Sequence, residues 1–469
     1  MSADPRFAAD APSEEPRRQS RGAFLLTFLA ALALGVAVGS FNANKVFAVV
    51  RSYDHLETFA DVLTLIESDY VEEVAPDKLI EGAIDGMLRS LDPHSSYMTP
   101  EMFKEMQVET EGEFGGLGIE ITMQDGWLTV VTPMEETPAW KSGLKPGDKI
   151  IKVDGAPTHD MSLMDAVRKM RGKRGTPVTL TIAREGFEEP RDYTIVRDII
   201  HVASVKSLML PDTYGYVRIR SFSKDTGQEM RAAIETLKKQ GMKGLVLDLR
   251  NNPGGLLNQA VEVSEYFLKK GELVVYTKGR MPNQNMRFTA KNPSGDADYP
   301  LVVLVNQGSA SASEIVAGAL QDLKRAIVVG TTSFGKGSVQ TIIPLRGDAG
   351  LRLTTARYYT PSGRQIQGVG ILPDIKVDEE WLEDKTDAKK GQAVREKDLH
   401  NHLPAAGEKS MEGAKPGDAS KPNGNGKNGL AKPVADPEHD VQLQRAMGIL
   451  KSWDIIRDVE SRKTERKAG

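Results

Sequence analysis

Two side chains in this sequence have the types and spacing to transfer an acyl group. Ser311 stands in Gly308-Ser309-Ala310-Ser311-Ala312-Ser313-Glu314, between the apolar run Leu301 to Val305 and the run Ile315 to Leu320. That pattern predicts a strand, a tight turn of small residues and a helix, so a hydroxyl is presented at a helix N-terminus. Lys336 lies in Phe334-Gly335-Lys336-Gly337-Ser338, after a second apolar strand from Ala326 to Val329. Two adjacent strand ends thus offer a nucleophile and a base. A serine hydroxyl is inert until a base takes its proton. Lysine does this only when neutral, and its reference pKa is about 10.4. Burial beside apolar walls must lower that value by a few units, a shift that desolvation can supply. Gly335 and Gly337 let the backbone pack closely around the amine. Gln340 can offer an amide oxygen without adding the counter-charge that would hold the proton on. The developing oxyanion needs backbone N–H donors. Ala312 N–H at the helix start is the first, and one of Gly254 and Gly255 is expected to supply the second.

Each of these residues has a plainer reading. Ser311-x-x-Glu314 is also a capping-box pattern, and Ser309 or Ser313 could equally cap the helix. The stretch Gly330 to Lys336 nearly matches the phosphate-cradling Gly-x-x-x-x-Gly-Lys loop. Gly337 stands where that loop needs a hydroxyl, however, and Val339 to Pro344 continues as strand rather than helix. Gly254 and Gly255 could form only a turn into the next helix. Arg171, in Arg171-Gly172-Lys173-Arg174-Gly175, could couple two parts of the chain or be a solvated hairpin charge.

Composition removes several other chemistries. The 469 residues include no cysteine, which excludes disulfides, thiol nucleophiles and zinc-thiolate sites. The seven histidines (His55, His94, His159, His201, His400, His402 and His439) all lie outside the segment holding Ser311 and Lys336, which weakens a Ser-His arrangement. A net charge of -4 gives no electrostatic case for nucleic acid. No metal or other cofactor is implied. Residues 1–22 are polar, with Arg17, Arg18 and Arg21, and read as a basic cytoplasmic tail. The apolar run that follows, within 23–43, reads as a signal peptide or an uncleaved signal-anchor. Positive-inside logic then places the rest of the chain outside the cytoplasm, periplasmic or otherwise extracytoplasmic and anchored to the inner membrane if uncleaved.

The positioning elements follow from apolar periodicity. Residues 50–105 hold two predicted helices, Leu56 to Tyr70 and Asp77 to Leu91, ended by Asp92-Pro93-His94-Ser95. Residues 110–195 read as a compact β-rich module of five short strands around a helix near Leu163 to Met170. From 196 to 378 strands alternate with helices, which argues for an α/β sheet with crossover helices. Residues 379–435 are charged and then rich in Gly, Pro, Lys and Asn, a composition read as a disordered linker. Helical spacing returns in 436–469, at Leu443, Met447 and Leu450, where a helix is expected to pack on the body or on a partner subunit.

The β-rich module opens with Gly115-Gly116-Leu117-Gly118-Ile119, followed by Gly143-Leu144-Lys145-Pro146-Gly147-Asp148-Lys149-Ile150. It resembles a PDZ domain, with Gly116, Leu117, Gly118 and Ile119 in place of the carboxylate-binding loop. Consecutive glycines let N–H groups converge on a peptide carboxylate, and the adjacent strand edge accepts the peptide as an extra strand.

The serine and lysine motifs together resemble those of the C-terminal processing peptidases, or tail-specific proteases. The resemblance spans about residues 55 to 377. It includes Leu91-Asp92-Pro93-His94-Ser95, Asp248-Leu249-Arg250-Asn251-Asn252-Pro253-Gly254-Gly255 and Ala356-Arg357-Tyr358-Tyr359-Thr360-Pro361-Ser362-Gly363. It implies an α/β core with a crotonase-like sheet, an inserted PDZ domain, and N- and C-terminal helices. It also implies a serine endopeptidase with Ser311 as nucleophile, Lys336 as general base and Gln340 orienting the lysine. The expected partners are protein substrates with exposed apolar C-termini, a second copy of the chain in a homo-oligomer, and a regulatory adaptor. Two rivals carry their own discriminators: a tethered PDZ peptide-binding scaffold with an inactive core, which would not need Ser311, Lys336 and Gln340 together, and a nucleotide-binding regulator, which ATP with magnesium would stabilise.

Overall fold

The computed structural model describes residues 55–124, 126–159, 161–291, 298–379, 394–405 and 435–468. The expected tail 1–22 and apolar segment 23–43 lie outside them. No described helix is long and apolar enough to cross a membrane. The chain divides into two units, Met1–Ile84 and Asp85–Gly469. Within the first, residues 55–69 are helical. A further helix spans Pro76–Arg89.

The core of the second unit is a six-stranded sheet. Its order is Val205–Leu210, Tyr214–Ile219, Gly244–Asp248, Leu301–Val305, Ile327–Gly330 and Ile375–Lys376. The first pair is antiparallel and every later pair is parallel. Helices Thr226–Lys239, Leu257–Glu265 and Ala312–Asp322 make the crossovers. Strand side chains alternate between faces. Leu245, Leu247, Val303 and Val305 pack with Ile234, Ala260, Val263 and Val316 of those helices. Val246, Val302, Leu304 and Val329 point the other way and pack with Leu443, Ala446 and Leu450. Those three belong to the C-terminal helix Val441–Ala468, which covers the second face. A parallel strand buried on both faces must be apolar throughout, and Leu301–Val305 is buried along its whole length.

A second, five-stranded sheet flanks the first, formed by Ser96–Met98, Gly350–Tyr359, Leu273–Gly279 and Arg287–Thr289, with Ser338–Pro344 also on Gly350–Tyr359. Apart from Val339 to Pro344, apolar periodicity does not reveal these strands. Only Gly350, Ala356 and Tyr358 of Gly350–Tyr359 are buried, and the strand lacks the continuous apolar run that marks the central strands.

The β-rich module is a six-stranded sheet of Ile119–Gln124, Trp127–Pro133, Lys149–Val153, Ala156–Pro157, Pro177–Ala183 and Arg191–Val196, with helices Pro138–Lys141 and Leu163–Met170. Its own core holds Leu128, Ile150, Val153, Leu180 and Ile182. It joins the α/β core through the ribbon Glu113–Gly116 paired with Asp198–His201. Arg171 serves that junction rather than standing as a free hairpin charge. Its guanidinium lies 4.5 Å from the Phe114 ring centre, and Gly172 N–H donates to Gly115 O at 3.0 Å.

The expectation of a disordered linker through 379–435 needs one correction. Residues 394–405 lie against the core, with a short turn Glu396–Asp398 whose Glu396 is fully buried. The burial of one carboxylate on specific hydrogen-bond partners fixes this stretch, and composition does not reveal such a partner. The remainder, 380–393 and 406–434, lies outside the described residues.

Candidate active site

Ser311 is the residue before helix Ala312–Asp322, with φ 54 and ψ -111. A non-glycine residue at positive φ is uncommon, and such strain concentrates at functional turns. The three serines of the motif have different fates. Ser309 Oγ donates to Leu249 O at 2.8 Å and Ser313 Oγ to Asn252 O at 3.0 Å, both fully buried. These bonds tie the turn to the end of strand Gly244–Asp248. Ser311 Oγ has no hydrogen-bond partner among the described residues, and the residue is partly exposed. Nor does it cap the helix, because Glu314 N–H donates to the Ser311 carbonyl at 2.9 Å instead. The capping-box spacing is therefore used from one side only, by the glutamate.

Glu314 joins the two motifs. Its side chain is fully buried. One carboxylate oxygen accepts from Ser311 N–H at 2.9 Å and Lys336 N–H at 2.8 Å. The other accepts from Gly335 N–H at 2.8 Å and from the Ser333 hydroxyl. Phe334 N–H adds a bond to Ser309 O at 3.0 Å. Burial pushes the Glu314 carboxyl up to about 7, against the pull of those four donors. The serine and lysine backbones are thus held through one carboxylate.

Lys336 follows strand Ile327–Gly330 in a loop that returns as strand Ser338–Pro344, with no helix behind it. Burial drives its amine below the ordinary lysine range. The nearby carboxylates of Glu396, Glu314 and Asp92 act against that fall, and Arg352 acts with it. Tight backbone packing accounts for the two glycines. A Cβ on Gly337 would lie 2.2 Å from Gln367 N, and Gly335 has φ 100. The amine makes no hydrogen bond to Ser311 Oγ or to Gln340 in this structure. Gln340 Nε2 instead donates to Ser338 Oγ at 2.9 Å and Thr354 Oγ1 at 3.4 Å.

The glycine turn lies beside Ser311. Gly254 and Gly255 have φ 103 and 142, and a Cβ on Gly254 would sit 2.8 Å from Ser311 Cβ and 3.0 Å from Ala312 N. Gly254 N–H is engaged by Asn252 Oδ1 at 2.9 Å. Neither Ala312 N–H nor Gly255 N–H has an acceptor among the described residues. In the same motif, Asp248 and Arg250 have a structural task. Arg250 bridges Asp248 and Asp440 at 2.7 Å each, anchoring the start of the C-terminal helix.

The segment Asp92 to Ser95 reaches the lysine side. Asp92 accepts from His94 N–H, Ser95 N–H, Ser95 Oγ and Thr354 Oγ1, at 2.7 to 3.0 Å. His94 Nε2 meets the Glu396 carboxylate at 2.7 Å. Sequence reasoning misses Glu396 altogether. Its surroundings are polar and aperiodic, and the only hint is a pair of apolar residues, Val394 and Leu399, within a charged stretch.

In the β-rich module, Ile119–Gln124 is an edge strand, paired only with Trp127–Pro133. Leu117 and Gly118 precede it, and their N–H groups have no acceptor among the described residues. Gly118 has φ 74, and a Cβ there would lie 2.4 Å from Thr137. Gly116 is drawn instead into the ribbon, opposite Asp198.

Comparison with known proteins agrees with this layout. Residues 213–377 match peptidase family S41, residues 129–184 a PDZ domain, and residues 39–102 the N-terminal domain of the activating protease CtpB. A carboxy-terminal-processing protease of Bartonella bacilliformis is 49% identical over 405 residues, covering 86% of this chain and 89% of that one. The carboxy-terminal processing protease CtpA of Bacillus subtilis is 40% identical over 314 residues, 67% of each chain. Among solved structures, a photosystem II D1 C-terminal processing protease aligns at 32% identity over 68% of this chain and 92% of its own, with a TM-score of 0.40. The chain belongs to peptidase family S41. It is a serine-type C-terminal processing protease with an S41 peptidase fold and a PDZ domain.

Proposed function

We propose that this protease cleaves proteins near their C-termini with a Ser311–Lys336 dyad, on substrates whose tails the PDZ domain holds. The observation that carries this reading is the shared Glu314 carboxylate, which fixes both backbones while leaving the Ser311 hydroxyl unbonded. Ser311 Oγ attacks the scissile carbonyl carbon and its proton passes to the neutral Lys336 amine. The C=O π electrons move to oxygen, where Ala312 N–H and Gly255 N–H donate to the oxyanion. Gly255 suits this task better than Gly254, whose N–H is already committed. Collapse expels the leaving amine, which takes the proton from Lys336, and an acyl-enzyme remains. Water then attacks the ester, with Lys336 again taking and returning a proton. Gln340 acts once its side chain turns from Ser338 toward the amine. Catalytic hydrogen bonds commonly close only when substrate is engaged, so the separate serine and lysine side chains are compatible with this route.

The open edge of Ile119–Gln124 supports addition of the substrate tail as a further strand, its carboxylate on the Leu117 and Gly118 N–H groups. The basic and then apolar N-terminus supports an extracytoplasmic setting. Exposed Trp453, Ile455 and Ile456 on the C-terminal helix support self-association. The deciding experiment incubates the wild-type protein and Ser311→Ala with an unfolded protein that has an apolar tail. Cleavage by the wild type alone is expected, with KM raised when the substrate C-terminus is amidated. Equal turnover by both proteins would remove Ser311 as the nucleophile, and cleavage by neither would leave a peptide-binding scaffold.

A further inference from the structure

We propose that Glu396 is a positioning residue for Lys336, seated by His94 and Gln367, and that its carboxylate holds the lysine loop and sets the pH at which the site turns on. This rests on the Ser311–Lys336 reading above. The geometry brackets the lysine from both sides. Glu396 N–H donates to Phe334 O at 3.2 Å, two residues before Lys336. The Glu396 carboxylate accepts from Gln367 Nε2 at 2.8 Å, and Gln367 Oε1 accepts from Gly337 N–H at 2.9 Å, one residue after it. His94 Nε2 closes the other side of the carboxylate at 2.9 and 2.7 Å. Glu396 and Gln367 are fully buried. A buried carboxylate is retained only where donors satisfy it, and here those donors lead to the lysine loop.

The charge has a direct use. Burial alone would push the Lys336 amine far down, and a base that holds its proton too weakly is a poor acceptor from serine. A general base works best when its pKa lies near the working pH. The charged groups acting on the amine are Glu396 from the 394–405 segment, Arg352 from the second sheet, Glu314 from the helix after Ser311, and Asp92 from the 92–95 turn, while His94 of that turn faces the Glu396 carboxylate. Among the charges, Glu396 acts on the amine most strongly, and it does so by keeping the proton on. It therefore limits how far desolvation can lower the base.

The test is the pH profile of kcat/KM for Glu396→Gln in the full chain, with folding checked by circular dichroism. Removing the charge is expected to move the acid limb down by about one pH unit, roughly tenfold more activity on the acid side than the wild-type profile allows. The plateau should fall, because the base is weaker. A merely structural role would lower the plateau and leave the limb in place, and that result overturns the proposal. Should Glu396→Gln fail to fold, Glu396→Asp keeps the charge but withdraws it by one methylene, with a smaller downward shift expected and an unmoved limb overturning. Lys336→Met in parallel separates the two claims. An active Lys336→Met would remove the dyad itself, whereas an inactive one beside an unmoved Glu396→Gln limb would remove only the role of Glu396.

Discussion

The surroundings of Ser311 and of Lys336 are built in different ways. Around Ser311 most partners come from two short stretches, Leu249 to Gly255 and Asn306 to Glu314, at the ends of adjacent parallel strands. Around Lys336 they come from residues 92–95, 314, 352, 367 and 396, and the His94–Glu396 contact joins positions 302 residues apart. A nucleophile needs exposure and a rigid turn, which a local motif supplies. A lysine base needs a low-dielectric enclosure, which no single segment can provide.

Variants can break this contrast, beginning with the largest effect. Lys336→Met should lower kcat/KM by about 10⁴-fold or more, as loss of a member of a catalytic unit does. Only a modest loss would mean that the enclosure serves something other than a base. Gly254→Ala should lower kcat by roughly 10²-fold, since the new methyl presses on Ser311 Cβ and Ala312 N and would disturb the proposed oxyanion donors. A wild-type rate there would show that the local half tolerates more than its packing implies.

Glu314→Gln tests the link between the halves. One amide oxygen cannot serve four donors, and its NH2 would face N–H groups. A fall in kcat of about tenfold with a loss of about 2 kcal/mol in stability is expected from two abandoned buried donors. The pH dependence sharpens the test. A carboxyl raised to about 7 binds a proton in the folded state that the unfolded chain has already released above about 4.5. Its contribution to stability is therefore fullest below about pH 4.5 and declines as pH rises to about 7, by about 3 kcal/mol. Thermal unfolding across that range should show this slope in the wild type and lose it in Glu314→Gln. Lys336 behaves oppositely. Its lowered amine pKa makes the unfolded chain the better proton binder, so stability rises with pH between the folded value and about 10.5.

The smallest effect on catalysis is expected at Leu450, buried between the C-terminal helix and the second face of the sheet. Leu450→Ala should cost about 2–4 kcal/mol in denaturant titration and leave kcat/KM of the folded protein within about twofold. A large catalytic loss would tie this distant helix to the site through Arg250 and Asp440.

Much of the scaffold is legible in the amino-acid order. The helix expected near Leu163 to Met170 and the strands Tyr214 to Ile219 and Leu301 to Val305 occupy those bounds. Their apolar periods are complete within a few residues. The second sheet is mostly hidden, because Gly350–Tyr359 interleaves Arg352, Thr354, Thr355 and Arg357 with its apolar residues. Asp248 and Arg250 are visible as part of a motif, but their anchoring of the C-terminal helix depends on Asp440, about 190 residues away. As residue types in a motif, Ser309, Ser311 and Ser313 are equivalent capping candidates. Only the fold shows two of them bonded and buried and the third unbonded.

The sequence by itself determined the Ser311 turn, the lysine loop, the PDZ-like module and the alternation of strands and crossover helices, since each rests on neighbours within a few residues. Tertiary structure decided which serine hydroxyl stays unbonded, which glycine N–H is unoccupied, and which carboxylates surround the buried amine. Those outcomes depend on desolvation and on hydrogen bonds between distant segments, and both arise only when the chain has closed on itself.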